Sequence, residues 1–220
     1  MSESFQAAAS TVAGPPAGVD EAQSTHDRLL AAAATLFAER GFGGTSMADI
    51  AERVGVRKAS LYNYYPSKDE LLMELLGRSL TAANDYCLSG LDAPGSVEER
   101  AWRYLYGAVR FARENPDLLA IFRLAAGQIG GELGERVERV VVAQKRAQRR
   151  RLEELFIAAA AQGELAPGDP KQHAYVFRAF VNGVLLGHLD CHCGERPDDS
   201  CLREAWALFW NGPGGRREGA

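Results

Sequence analysis

Residues 45–68 read TSMADIAERVGVRKASLYNYYPSK, and this segment carries the strongest structural signals in the chain. Ser46 and Asp49 have the spacing of a capping box at a helix start, and Gly55 is the residue type that ends helices in the left-handed conformation. Between them, apolar residues recur at helical spacing: Met47, Ile50, Ala51 and Val54. The stretch is therefore predicted to begin with a short amphipathic helix whose two ends are specified locally.

A second helix is predicted to follow, from about Val56 or Arg57 to Tyr65, because Pro66 disfavours helical backbone in the residue before it. In so short a helix only Val56, Leu61 and Tyr65 can point inward. The other side chains face outward and none is acidic: Arg57, Lys58, Ala59, Ser60, Tyr62, Asn63 and Tyr64. Burial alone stabilises such a helix poorly, which favours a binding role for its outer face.

Two helices joined by a short turn with glycine, the second rich in hydrogen-bond donors, are typical of elements that read the major groove of DNA. Arg57 and Lys58 can reach phosphates or guanine O6 and N7, and Asn63 can bond a base edge or a phosphate. The hydroxyl-bearing side chains suit phosphates and thymine methyl groups: Ser60, Tyr62 and Tyr64. Residues 57–68 hold three basic and no acidic side chains, although the whole chain has a formal charge of −4.

Two further helices flank this pair. Thr25 is expected to begin a first helix that Gly41 closes and whose apolar face packs behind the pair as a scaffold. Ser67, with Glu70 at the third position, is expected to cap a fourth helix from Lys68 to about Leu88. Lys68 can hold another phosphate at the start of that helix.

These residues carry a family resemblance. The run from 25 to about 80 includes LFAERGF at 36–42 and LYNYYPSKDELL at 61–72, and it closely resembles the N-terminal domain of TetR-type transcriptional regulators. The resemblance implies phosphate contacts at Thr45, Ser46, Tyr62 and Lys68. It implies base contacts among Lys58, Ala59, Ser60 and Tyr64. The chain departs from the usual family pattern at Tyr64 and Tyr65, where an imidazole and a phenylalanine are more common.

Beyond residue 90 the pattern predicts only helices, at 96–114, 117–128, 132–163, 170–190 and 199–210. The fold class is therefore expected to be all-α, with a three-helix helix-turn-helix domain followed by a larger helical domain. The domains are expected at 24–70 and 71–212, between a disordered tail at 1–23 and a flexible tail at 213–220.

Aromatic residues are frequent on the predicted helices 96–114 and 170–190. Taken singly, such residues are usually core. The resemblance to TetR-type regulators implies instead that these helices enclose a cavity for a small-molecule effector, with mixed aromatic and polar lining. The residues assigned to that ligand site are Trp102, Tyr106, Phe122, Phe177 and Phe180.

The last two predicted helices have the pattern of an interface. Small and branched residues recur at spacings of three and four along one side of helix 170–190: Val176, Phe180, Gly183, Val184 and Gly187. Trp206, Phe209 and Trp210 add an apolar edge on the next helix. In TetR-type regulators these helices pair in a homodimer, which presents two reading helices to a palindromic operator in double-stranded DNA.

A group of thiols and imidazoles lies near the end of helix 170–190: His188, Cys191, His192, Cys193 and Cys201. Its spacing matches no standard zinc signature, so ordinary thiols are favoured and no metal site is assigned. The alternative is a thiol- or metal-responsive regulator that senses through Cys191, Cys193 and Cys201. Cys87 is expected to be buried.

Other functional classes are not favoured. The composition, 46% apolar and 25% charged, is ordinary for a globular protein. No run approaches the roughly 20 apolar residues of a membrane helix, and no secretion signal is evident, so the cytoplasm is the expected location. No nucleotide-binding, hydrolase or metalloprotease motif is present, so we expect neither an enzyme nor a cofactor. The resemblance to TetR-type regulators implies a repressor that leaves its operator when an effector binds.

Overall fold

The computed structural model describes residues 24–127, 129–165, 168–190 and 199–211. Within these ranges the chain forms nine α-helices and no strand, which confirms the all-α class. The helices are α1 Thr25–Arg40, α2 Met47–Val54, α3 Lys58–Tyr64, α4 Lys68–Asp92, α5 Val97–Glu114, α6 Pro116–Gly127, α7 Gly131–Ala161, α8 Pro170–Asp190 and α9 Asp199–Asn211. The predicted tails at 1–23 and 213–220 lie outside the described residues.

The helix ends lie close to the predicted positions, with one exception. The helix predicted at 132–163 spans Gly131–Ala161, and the one predicted at 170–190 spans Pro170–Asp190. Helix α4 extends to Asp92, beyond the predicted end near Leu88. It does so because Leu91 is buried and continues the apolar face, and the helix stops before Pro94, which cannot continue it.

One compact unit comprises the described residues of 24–84 and 112–146. Its core is built from one face of α1, the apolar face of α2 and the first half of α4, and α6 and the start of α7 add to it. The fully buried side chains at its centre include Leu29, Leu36, Ile50, Leu61, Leu71, Leu76 and Ile121. The helix pair 45–65 is thus held on a scaffold larger than α1 alone. The domain boundary near residue 70 stays a prediction.

The second compact unit comprises the described residues of 85–111 and 147–211. The end of α4, most of α5, the end of α7, and α8 with α9 supply its core, which is rich in aromatic rings. Cys87 is 5% exposed, as predicted, and burial raises the pKa of its thiol to about 12, so it remains protonated.

Helices α4 and α5 approach closely at two glycines of this unit. A Cβ added at Gly107 would overlap the backbone carbonyl of Tyr86, and one added at Gly90 would lie 2.8 Å from the backbone carbonyl carbon of Arg103. Real Cβ atoms are essentially never found so close to backbone. The two helices therefore touch backbone to backbone, which only glycine allows.

None of the helices in the described ranges has both the length and the apolar character needed to cross a lipid bilayer.

Candidate nucleic-acid interface

The start of α2 is fixed by a capping box, as predicted. The Ser46 hydroxyl oxygen accepts a hydrogen bond from the Asp49 N–H at 3.2 Å, and an Asp49 carboxylate oxygen accepts one from the Ser46 N–H at 2.7 Å. The Ser46 hydroxyl also donates to that carboxylate at 2.6 Å. These bonds to Ser46 hold the pKa of Asp49 below its usual value, so the cap remains charged at neutral pH.

The turn after α2 depends on Gly55, also as predicted. Gly55 has φ 77° and ψ 30°, a left-handed conformation that costs glycine little. The N–H groups of Gly55 and Val56 donate to the carbonyls of Glu52 and Ala51, each at 3.0 Å. The Arg28 guanidinium donates to the Val54 carbonyl at 2.8 Å, which ties the end of α2 to the scaffold helix α1. No sequence pattern indicated this Arg28 contact.

Helix α3 exposes nearly all of its side chains. Leu61 is its only buried residue, and Tyr62 and Tyr64 are 43% and 47% exposed. The exposed set also includes Arg57, Lys58, Ala59 and Asn63, while Ser60 is half-buried. The Lys58 ammonium lies 5.9 Å from the centre of the Tyr62 ring, so these two predicted DNA-binding side chains share one patch.

Thr45 and Lys68 are turned toward backbone carbonyls. Thr45 is 2% exposed, and the carbonyls of Leu36 at 3.1 Å and Gly41 at 3.0 Å share the single proton that its hydroxyl donates. The Lys68 ammonium donates to the carbonyls of Phe42 at 2.6 Å and Thr45 at 2.7 Å, and it lies 4.2 Å from the centre of the Phe42 ring. Both side chains thus stabilise the loop between α1 and α2. Their predicted phosphate contacts stay predictions, as does that of the exposed Ser46.

The Thr45 geometry gives a testable expectation. Thr45→Val keeps the shape of the side chain but leaves the Leu36 and Gly41 carbonyls without their donor, so we expect a loss of about 1–3 kcal/mol in the free energy of unfolding, measured by urea titration. Thr81→Val, on an exposed face of α4, is the matched control and should change little. A Thr45→Val protein of full stability but weakened DNA binding would place the main role of the hydroxyl at a phosphate.

The residue after α3, Tyr65, is buried, as predicted, and its partners are residues that the sequence did not single out. Its hydroxyl lies 2.7 Å from His26 Nε2 and 3.0 Å from Glu74 Oε2. Arg78 contacts the same group, 3.2 Å from His26 Nδ1 and 2.9 Å from Asp27 Oδ1. We call His26, Asp27, Tyr65, Glu74 and Arg78 the Tyr65 cluster.

The predicted ligand-binding residues fall into two groups. Trp102, Tyr106, Phe177 and Phe180 all belong to the aromatic core of the second unit, together with Trp206 and Phe209. Phe122 lies on α6 and packs against the core of the first unit. Their roles in ligand binding stay predictions.

The aromatic core contains an indole N–H without a hydrogen-bond partner among the described residues. Trp206 lies in edge contact with Trp102, with ring centres 5.6 Å apart, and stacks on Trp210 at 5.0 Å. Phe180 stacks on Phe209 at 4.2 Å. The buried Nε1–H of Trp206 has no hydrogen-bond partner among the described residues, although a buried indole N–H usually finds one. Sequence reasoning had placed Trp206 on an apolar interface edge, whereas it is 3% exposed and belongs to the core of the protomer.

The predicted thiol cluster lies mainly outside the described residues, because Cys191, His192 and Cys193 are not among them. Cys201 is described, on α9, and its side chain is exposed. In the part of the chain that is described, no group of three or more His, Cys, Asp or Glu side chains is arranged to hold a metal ion.

Comparison with known proteins shows what this arrangement resembles. Residues 29–75 match the family model described as bacterial regulatory proteins, tetR family. An uncharacterized HTH-type transcriptional regulator from Mycobacterium tuberculosis is 30% identical over 144 residues, which are 66% of this chain and 64% of that protein. The chain thus spans just under two thirds of this relative's length. The HTH-type transcriptional repressor KstR2 of Rhodococcus jostii is 38% identical over 89 residues, 38% of this chain and 44% of the repressor.

A solved structure shares the whole fold. The crystal structure of AibR in complex with isovaleryl coenzyme A and operator DNA superimposes with a TM-score of 0.66 over 84% of this chain and 97% of AibR. The two sequences are 23% identical over that match. The matching AibR chain is almost fully covered, so the likeness extends beyond the N-terminal helices to the helical domain that follows them.

Proposed function

Because the chain belongs to the tetR family of bacterial regulatory proteins, we propose that it is a sequence-specific DNA-binding transcriptional regulator. One observation supports this most directly. Helix α3 buries only Leu61 and exposes basic, amide and phenolic groups with no acid among them. That face contributes nothing to the core, and its donors are those that phosphates and base edges accept.

In this proposal α3 lies in the major groove. Arg57, Lys58 and Tyr62 contact phosphates and guanine edges near the start of the helix, and Asn63 and Tyr64 reach bases and thymine methyl groups further along it. The negative charge of the remainder of the chain limits binding to unrelated DNA, since attraction is confined to this local surface.

We further propose a homodimer that reads a palindromic operator. The predicted interface stripe on α8 is partly open in the protomer: Val176 is 53% exposed, and Gly183 and Gly187 are exposed as well, whereas Phe180 and Val184 are half-buried. On α9, Leu208 is 58% exposed. Apolar and small residues exposed along two adjacent elements of the chain suit a symmetric helix-to-helix contact. Two protomers would then present two α3 helices to half-sites about 34–36 Å apart.

The effector is proposed to bind in the second unit. Its core offers Trp102, Tyr106, Phe177 and Phe180 as apolar surface, and the Trp206 indole N–H as an unsatisfied donor. The structural neighbour AibR was crystallised with isovaleryl coenzyme A and operator DNA together, so a helical protein of this fold can hold both kinds of ligand. We assign no chemical identity to the effector of this chain.

Regulation in this proposal is repression that the effector relieves, which the similarity to the transcriptional repressor KstR2 favours. Helix α4 contributes residues to both units and begins at Lys68, which is bonded to the loop before α2. Effector binding would displace α4, change the separation of the two α3 helices and release the operator. Such a regulator acts in the cytoplasm and catalyses no reaction.

Selection from a random pool of duplexes tests the proposal. The purified protein should enrich an inverted repeat and bind it as a dimer, as measured by sequencing the retained DNA and by light scattering of the complex. Tyr62→Ala removes an exposed side chain, so it should weaken this binding without lowering the melting temperature. Failure to enrich any sequence, or a lone protomer both free and on DNA, would contradict the proposal.

A further inference from the structure

The residues of the Tyr65 cluster come from three places: the end of α3, helix α1 and helix α4. Tyr65 directly follows the last residue of α3, His26 and Asp27 lie on the first turn of α1, and Glu74 and Arg78 lie one turn apart on α4. The Tyr65 ring stacks on the His26 ring with centres 5.4 Å apart and planes 22° apart. A single connected group therefore joins α1, the end of α3 and α4.

The hydrogen bonds of this cluster have one consistent direction. Arginine is only a donor, so the contact of Arg78 with His26 at 3.2 Å requires His26 Nδ1 to accept. The neutral imidazole then carries its proton on Nε2, which faces the Tyr65 oxygen at 2.7 Å and Glu74 Oε1 at 3.2 Å. The Tyr65 hydroxyl can in turn donate to Glu74 Oε2 at 3.0 Å. The chain of donors runs from Arg78 to the Glu74 carboxylate, and each member has a partner.

Tyr65 is suited to remain a donor. It is 3% exposed, and burial together with the neighbouring Glu74 carboxylate raises the pKa of its hydroxyl well above the ordinary value. At neutral pH the phenol therefore keeps its proton. Arg78 is also paired with Asp27 at 2.9 Å and with Glu74 at 3.3 Å, so the same guanidinium links α4 to α1 directly.

The position of α3 depends on few other attachments. Within the helix, Leu61 alone is buried. A seven-residue helix is too short to hold itself by propensity, so its direction depends on how its two ends are fixed. At the N-terminal end the cap residue Arg57 makes no side-chain capping bond. The C-terminal end, in contrast, is bonded through Tyr65.

We propose that Tyr65 is a positioning residue for DNA binding, whose hydroxyl, held between His26 and Glu74, fixes the C-terminal end of α3 to α4. Operator affinity then depends on a hydrogen bond that touches no DNA. A displacement of α4 moves Glu74 and Arg78 together, and through Tyr65 it moves the end of α3. This inference rests on the proposed function, because its main readout is the affinity for DNA.

A double-mutant cycle tests the inference. Tyr65→Phe removes only the hydroxyl, and Glu74→Gln removes the carboxylate charge. Each should lower the affinity for the duplex that the wild-type protein selects by about 3- to 10-fold. The double variant should lose no more than the weaker-binding single variant, because both changes weaken the same Tyr65–Glu74 bond and the exposed Glu74–Arg78 ion pair contributes little. Glu39→Gln is the matched control, because it removes a carboxylate of the same unit from an exposed ion pair with Arg53 at 3.8 Å.

Two further readouts separate positioning from a general loss of structure. The affinity for an unrelated duplex should stay unchanged, whereas a partly unfolded protein would lose both affinities in proportion. In the free protein, Tyr65→Phe should accelerate amide hydrogen exchange at 61–65 more than at 51–54. The exchange measurement needs no DNA. It therefore tests whether the Tyr65 hydroxyl holds the end of α3 even if the wild-type protein selects no duplex and the proposed function fails.

Three results would overturn the inference. They are unchanged exchange at 61–65 in Tyr65→Phe, equal losses of affinity for selected and unrelated duplexes, and fully additive effects of Tyr65→Phe and Glu74→Gln.

Discussion

Lys58→Glu is expected to lower the affinity for the selected duplex by about 30-fold to 10⁴-fold at physiological salt. Lys58 is exposed at the first position of α3, where a basic side chain meets phosphates or guanine edges. Losing one such contact costs roughly 1–3 kcal/mol, and a two-fold dimer loses it twice. The expected total of about 2–6 kcal/mol corresponds to the stated range, since each 1.4 kcal/mol is tenfold.

Electrophoretic mobility shift or anisotropy titrations at several salt concentrations measure this effect. Because two phosphate contacts disappear from each dimer, the slope of log K against log salt should fall by about 2. Lys171→Glu gives the same change in net charge at an exposed lysine of the other unit, and should leave the affinity nearly unchanged. Equal losses in both variants would mean that overall charge, and not the α3 surface, determines binding.

Leu61→Ala is expected to cost about 2–5 kcal/mol in the free energy of unfolding, the usual loss for a fully buried leucine. Leu61 is 0% exposed and is the one residue through which α3 itself joins the core. With that attachment weakened, a helix of seven residues has little to keep it folded. DNA binding should therefore be lost even under conditions in which the second unit remains folded.

Urea titration followed by circular dichroism, together with binding to the selected duplex, measures both parts of this expectation. Leu61→Met is the matched control, since a swap of similar volume costs less than about 1.5 kcal/mol and should preserve binding. If Leu61→Ala bound the duplex with wild-type affinity, α3 would not be the element that reads DNA.

The sequence was most informative where bonds join residues close in the chain. The capping box joins residues three apart, Ser46 and Asp49, and the left-handed turn needs only Gly55. Pro66 likewise ends α3 at the expected position. Such signals depend on local backbone geometry and can be read before any tertiary structure is known. They were enough to predict the helix pair and its exposed face.

The sequence was least informative where bonds join residues far apart. Lys68 bonds the carbonyl of Phe42, 26 residues earlier, and Tyr65 bonds His26, 39 residues earlier. Neither spacing has a periodic signature, so a pattern assigned Lys68 to DNA without showing its bonds to the protein. One signal was present for Tyr65: a tyrosine where a phenylalanine is more usual brings a hydroxyl that needs a partner when buried.

The predicted ligand site shows the same limit. The usual burial of aromatic residues indicated that Trp102 and Phe177 lie in a core, and both are buried. It could not show which core each aromatic side chain joins, so Phe122 was grouped with residues of the other unit. Assigning a side chain to a cavity wall requires the arrangement of helices, which periodicity alone does not contain.

The glycine contacts between α4 and α5 set how these helices can respond to a bound molecule. At Gly90 and Gly107 no side chain lies between the two backbones, so there is no rotamer whose change could absorb a small push. A shift of α5 at Trp102 or Tyr106 would therefore displace the C-terminal part of α4 directly. Bulkier residues at either glycine would force the helices apart and weaken the transmission of movement from α5 to α4.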